Sequence, residues 1–91
     1  VKIGILEAGV IDVTHPFISG LNYVVLDQPN KEEEICEHTT QMASIIAGKI
    51  GIAKDAMIYS AQAFDRPDNE VDWLIENGVD IINCSLNLLY L

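Results

Sequence analysis

Basic residues are scarce in this chain. Five lysines and arginines stand against fourteen aspartates and glutamates, for a net charge of −9. Five scattered cations cannot build the positive patch that a phosphate backbone requires, so nucleic-acid binding is not expected. The acidity favours solubility and cationic partners, and it says nothing about fold. Long apolar runs are missing as well. None approaches the roughly 20 residues of a membrane-spanning helix, and no membrane association is expected. No charged and then apolar leader precedes Val1, so the chain is expected to begin as mature protein or as an excised domain. The two cysteines, Cys36 and Cys84, are too few for a disulfide framework. Cys84 lies in an apolar strand pattern and reads as a small buried hydrophobe, so two free thiols are expected. Nothing in these features chooses between a secreted and a cytosolic location.

What is present reads as a globular unit. The 91 residues are 49% hydrophobic, enough for one domain at most or a piece of one. Val1 to Leu6 is a near-continuous apolar run, the pattern of a strand covered on both faces in a parallel sheet. Glu7 then stands at the carboxyl end of that strand, the edge where chemistry gathers in open α/β sheets. Taken alone, such a carboxylate is merely solvated.

The spacing predicts a loop over 10–20, in which His15-Pro16 is extended and His15 is structural. A second strand follows from Leu21 to Leu26. Residues 27–37 form a polar loop with a turn at Pro29-Asn30 and a solvated charge run at Lys31 to Glu34. From Glu37 the pattern becomes helical, with Met42, Ile45, Ile46 and Ala47 on one side and Gly48 as a left-handed stop. A third strand is expected over 56–61. A turn around Pro67 leads to a helix that Asp68 or Asn69 caps, with Val71, Leu74 and Ile75 facing inward and Trp73 beside that stripe. The helix stops at Asn77-Gly78, and Val79 to Leu86 is a fourth strand. No repeat, linker or low-complexity segment divides the chain. The order β-β-α-β-α-β with short connections predicts the α/β class, a parallel sheet with helices packed on it. The apolar tail from Leu86 to Leu91 has no element after it, which reads as a chain cut short.

Three stretches stand out together. They are Glu7-Ala8-Gly9 after the first strand, His38-Thr39-Thr40-Gln41-Met42-Ala43 at a helix start, and Ile81-Ile82-Asn83-Cys84-Ser85-Leu86-Asn87 in the last strand. In this order they resemble the Asp-Thr/Ser-Gly, His-Gly-Thr-x-Val-Ala and Val-Ile-Asn-Met-Ser-Leu-Gly motifs of subtilisin-like serine peptidases. His15-Pro16, Gly51-Ile52-Ala53 and the run from Trp73 to Asp80 are smaller echoes, and the similarity covers essentially the whole chain. The resemblance implies a subtilisin-like three-layer architecture, with residues 1–91 as the N-terminal portion of a peptidase domain. It makes Glu7 the carboxylate that orients an imidazole and His38 the general base. It also makes Ser85, Leu86 and Asn87 the strand that pairs with an extended polypeptide substrate.

The departures from the family pattern have chemical meaning. Glutamate at position 7 is one methylene longer than aspartate, although Ser-His-Glu triads function on other folds. Thr39 and Asn87 replace glycines and add bulk. Phe17 stands where many members carry a calcium-ligating aspartate, and the calcium-binding insertion before Gly51 is absent, so no calcium is expected there. No cofactor is implied. These residues contain no Gly-Thr-Ser nucleophile motif and no downstream oxyanion asparagine, so the chain alone is expected not to hydrolyse peptides. The remainder of the domain is then expected in a parent protein. A rival reading is a subtilase-like peptide-binding module that has lost catalysis. Metal binding through Cys36, Glu37 and His38 is weaker still, because a structural zinc needs four ligands and no second cluster is visible. A cysteine nucleophile at Cys36 is disfavoured because residues two apart point in poorly matched directions.

Overall fold

Four short strands, all parallel, run in the spatial order β2-β3-β1-β4 between two helices. The computed structural model describes residues 1–26, 34–49, 51–63 and 68–85. Its elements are β1 (Lys2–Glu7), β2 (Asn22–Val25), α1 (Glu37–Ala47), β3 (Met57–Gln62), α2 (Asp68–Glu76) and β4 (Ile81–Asn83). The order and the parallel sheet agree with the expectation, and so does the α/β class. The expected loop over 27–33, the turn at Pro67 and the tail from Leu86 onward, Asn87 included, lie outside the described residues.

The two faces of the sheet follow from the period of two along each strand. Ile3, Ile5 and Ile58 pack with Ala43 and Ala47 of α1 and with Ile11, Ile18 and Leu21 of the loop after β1. Leu6, Tyr59 and Ala61 turn the other way and pack with Leu74 of α2. Gly4 is required on that second face: an added Cβ would lie 3.0 Å from Leu74 Cδ2 and 3.1 Å from Val79 Cγ1. Trp73 is partly buried against this cluster and meets Tyr59 edge-on, with ring centroids 5.8 Å apart.

Several expectations give way. Helix α1 buries Thr39, Thr40, Ala43, Ser44 and Ala47, while Ile45 remains 58% exposed. Small and hydroxylic side chains let the helix approach the sheet, and the hydroxyls find backbone partners: Ser44 Oγ donates to Thr40 O (2.7 Å) and Thr39 Oγ1 to Gly9 O (2.9 Å). Gly48 is extended (φ −68°, ψ −174°) rather than left-handed. Glycine is needed there for space, because a Cβ would come within 2.6 Å of Phe17 O and 2.7 Å of Ser44 Cα. In α2, Ile75 is exposed, Leu74 and Glu70 are buried, and Val71 packs partly buried against the same cluster as expected. The described part of the fourth strand is only three residues long, and Cys84 just beyond it is exposed rather than buried.

Glu70 is the unexpected member of the core. It is fully buried, one turn before Leu74 on the same face of α2, and neither carboxylate oxygen has a hydrogen-bond partner among the described residues. Burying a carboxylate without a partner is costly. Replacing Glu70 with glutamine is therefore expected to raise stability by about 1 kcal/mol, and with methionine by about 1–3 kcal/mol. Urea denaturation of the two variants checks this, and an unchanged or lowered midpoint for both would contradict it.

Candidate active site

The period that builds the sheet also aims Glu7. Ile3 and Ile5 face α1, and Glu7, two residues on, faces the same way at the carboxyl end of β1. Its backbone is fixed by the pairing with Gln62 of β3 and by the Ala63 N–H, which donates to Glu7 O at 2.7 Å. The side chain is 1% exposed.

His38 comes to it from the first turn of α1. That turn is tied to the exit of β1 by a short parallel bridge between Val10 and Ile35, in which Val10 N–H donates to Glu34 O (2.8 Å) and Cys36 N–H to Val10 O (3.0 Å). The Thr39 hydroxyl adds its bond to Gly9 O. Gly9 itself has no room for a side chain, since a Cβ would lie 2.4 Å from Cys36 Cβ and 2.6 Å from Glu34 O. At the next residue, Thr40 Oγ1 accepts from Asp12 N–H at 2.9 Å. Thr39, expected to add bulk beside the site, is fully buried and serves as a tether.

The result is a contact of 3.3 Å between His38 Nδ1 and Glu7 Oε2. This is longer than the 2.7–2.9 Å typical of a charge-assisted bond. The imidazole is 49% exposed while the carboxylate beneath it is buried. Glu7 Oε1 has no hydrogen-bond partner among the described residues. One ring nitrogen is thus turned to an acid in the protein, and no hydrogen bond occupies Nε2 among the described residues. Such an arrangement can fix one tautomer and leave the other nitrogen to take a proton.

The other named residues are more dispersed. Ser60 is buried in β3, where its Oγ accepts from Ile11 N–H, and Ser44 is used within α1. Ser19 and Ser85 are exposed, and Ser85 Oγ accepts from Asn83 Nδ2 at 3.0 Å just past β4. None of the four serines bonds to His38. Leu86 and Asn87, the other two residues of the expected substrate strand, lie outside the described residues. His15 is half-buried and structural in its bonding, with Nδ1 accepting from Phe17 N–H at 3.1 Å. Among the described residues, no group of three or more His, Cys, Asp or Glu side chains is placed to hold a metal ion.

Sequence reasoning weighed Cys36 as a metal ligand and as a nucleophile, and did not consider the effect of the helix start on its thiol. It occupies the N-cap of α1 in an extended conformation, and no side-chain capping bond is fully formed. The Thr39 amide, helped by the His38 amide, nevertheless holds the thiol below its usual range, against burial and the nearby Glu7 carboxylate, which raise it. The signal was available in principle, since cysteine directly before a helix start is a known setting for thiolate stabilisation.

A family model described as the subtilase family matches residues 1–88. The chain is 29% identical to subtilisin E of Bacillus subtilis (strain 168), with 94% of the chain and 26% of that protein aligned. It is 28% identical to a subtilisin of Bacillus pumilus, covering 94% of the chain and 37% of that protein. Against the minor extracellular protease Epr of Bacillus subtilis (strain 168) the identity is 29%, over 94% of the chain and 15% of the protein. The chain therefore spans between about a seventh and somewhat over a third of these relatives' lengths. No solved structure gives a significant match.

The Cys36 environment makes a specific prediction. With Cys84 replaced by alanine, alkylation of Cys36 by iodoacetamide is expected to reach half its maximal rate at a pH below that of a free thiol, about 8.5. The sign follows from the lowered folded-state value. The thiolate favours the folded state above the unfolded pKa, and that contribution is lost as pH falls through the folded value. In urea the midpoint should return to the free-thiol range. Rates followed by mass spectrometry test both points, and a folded-state midpoint at or above the free-thiol value would rule the effect out.

Proposed function

The chain belongs to the subtilase family, and from that premise we propose that Glu7 and His38 are the acid and the base of a serine endopeptidase with a Glu-His-Ser triad. The observation that carries this reading is the 3.3 Å contact between His38 Nδ1 and the buried Glu7 carboxylate, beneath a half-exposed imidazole. The nucleophile is a serine supplied from outside these 91 residues, by the rest of the peptidase domain in the parent protein. None of Ser19, Ser44, Ser60 and Ser85 has the sequence context of a nucleophile, and none bonds to His38. On this reading the 91 residues alone do not hydrolyse peptides.

The chemistry of each residue is then defined. His38 Nε2 takes the proton of the attacking serine hydroxyl and returns it to the leaving amine of the cleaved peptide bond. Glu7 accepts a hydrogen bond from Nδ1–H, holds the tautomer, and stabilises the imidazolium while it exists. Burial of the carboxylate keeps water from competing for that bond. The substrate is a polypeptide. It adds as an extended strand along Ser85, Leu86 and Asn87 at the end of β4, with backbone hydrogen bonds giving affinity.

The experiment is peptidase assay of the native protein and its variants. His38→Ala is expected to lower kcat by the roughly 10⁴-fold or more that follows loss of a triad member in serine hydrolases. Glu7→Gln should cost about 10³- to 10⁴-fold, because the amide can present the wrong group to Nδ1. Glu7→Asp withdraws the carboxylate by about 1.5 Å from a contact already long, and it is expected to reduce kcat rather than restore a more family-like site. An inactive peptide-binding module, the rival reading, requires the wild-type protein to be inert and peptide affinity to be indifferent to all three changes.

A further inference from the structure

The imidazole at the candidate site is held weakly by its own bonds. Among the described residues its ring has one hydrogen bond, the 3.3 Å contact with Glu7, near the outer limit for such a bond. About half of the side chain is in solvent. The helix that carries it starts without a side-chain cap, because Cys36 forms no capping bond, and helix ends fray. Glutamate adds to the looseness, since it has one more rotatable bond than aspartate. The orientation of His38 therefore has to come from elsewhere.

Two restraints flank it. On the N-terminal side, the Glu34 amide donates to Gln62 Oε1 (2.8 Å) and the Cys36 amide to Val10 O (3.0 Å), which moors the approach to α1 on the sheet. Gly9 packs against this stretch so closely that a Cβ would lie 2.4 Å from Cys36 Cβ, and the helix start has no room to move further in. On the C-terminal side is Thr39. It is fully buried, and its hydroxyl donates to Gly9 O at 2.9 Å. The close packing is a stop and the Thr39 bond is a tie, both acting at Gly9, two residues beyond the acid. Successive side chains on a helix stand about 100° apart. With Thr39 turned fully inward, its neighbour His38 falls at the edge of the buried face, where Nδ1 meets Glu7 and the ring stays half in solvent.

We propose that Thr39 is a positioning residue for the acid–base pair: its bond to Gly9 O sets the rotation of the first turn of α1 and keeps His38 Nδ1 within reach of Glu7. The proposal rests on the reading of Glu7 and His38 as acid and base. The family motif has glycine where this chain has Thr39, so the chain departs from the pattern both here and at the acid. The two departures act together. The tie removes from the helix the freedom that the extra methylene gives the carboxylate. Without it, a displacement of only about 0.5 Å takes the 3.3 Å contact out of hydrogen-bond range.

The test uses the native protein, with its histidines labelled for nitrogen NMR. Thr39→Val keeps the volume and removes the hydroxyl. It is expected to lower the share of neutral His38 that carries its proton on Nδ1, read from the two ring-nitrogen shifts. It should also lower kcat about tenfold with KM unchanged. Thr39→Ser keeps the hydroxyl and should hold both readouts within about twofold of wild type. In a Glu7→Gln background, Thr39→Val should cost no further kcat, because the bond that Thr39 serves is already lost. A threonine that only stabilised the fold would leave the tautomer unmoved and would cost the same factor in either background. Thr39→Ala replaces Thr39→Val if valine prevents folding. An unchanged tautomer share and kcat in Thr39→Val, or an equal loss of kcat in the two backgrounds, overturns the proposal. A wild-type protein that cleaves no peptide sinks the catalytic reading instead, and the tautomer shift then decides the role of Thr39 by itself.

Discussion

The alternation of β1 between two helical layers is the constraint on which the rest of the structure depends. Ile3, Ile5 and Glu7 face α1, and Gly4 and Leu6 face α2. The first two members of the α1-facing series are core residues, and their packing fixes the orientation of the third. Glu7 is buried because it continues an apolar stripe. A carboxylate in that position is tolerable only with a partner, and His38 supplies one for Oε2. Among the described residues, no hydrogen-bond partner meets Glu70 on the opposite face, which makes it the costlier of the two burials.

Helix α1 is held to this stripe by bonds more than by bulk. Thr39 ties it to Gly9, Thr40 to Asp12, and the Cys36 backbone to Val10. Its inward face is small enough to approach the sheet closely, and Gly48 and Gly51 continue that close approach past its end, each with backbone atoms within 2.7 Å of where a Cβ would stand. The larger aliphatic side chain at Ile45 is left on the outside. One short helix therefore presents a rigid, bonded side to the acid and leaves Ile45 exposed on the other.

The strands were legible from their apolar runs, and the parallel sheet followed from the β-α-β connections, whereas the spatial order β2-β3-β1-β4 was not read from the sequence. The buried face of α1 was not legible either, because hydropathy alone ranks Ile45 and Ile46 above Thr39, Thr40 and Ser44. Those three hydroxyls are internalised by bonds to backbone carbonyls and amides that no one-dimensional pattern displays. Gly48 shows the same limit: its position at a helix end suggested left-handed backbone, whereas the requirement is space against Phe17 O. Cys84 read as core because its neighbours Ile81 and Ile82 are apolar, yet those isoleucines are themselves exposed. The pairing of Glu7 with His38 came from motif order and not from periodicity. Its geometry, with one oxygen engaged and the other orphaned, needed three dimensions.

The length of the acid matters because so little else at the site is free to vary. Glu7 Cα is fixed by its pairing with Gln62 of β3 and by the Ala63 N–H bond to its carbonyl, and the start of α1 is fixed by the Val10–Ile35 bridge and the Thr39 tether. Side-chain reach is the adjustable quantity left between them, and a glutamate spans the gap to 3.3 Å. The two partners then differ in a way that suits their proposed roles. The carboxylate is dry and the imidazole is half in solvent. An orienting bond shielded from water does not have to compete for its proton, and an open Nε2 is reachable by a hydroxyl from another part of the protein. A site with both groups buried would be closed to a nucleophile, and one with both exposed would lose its orientation to water.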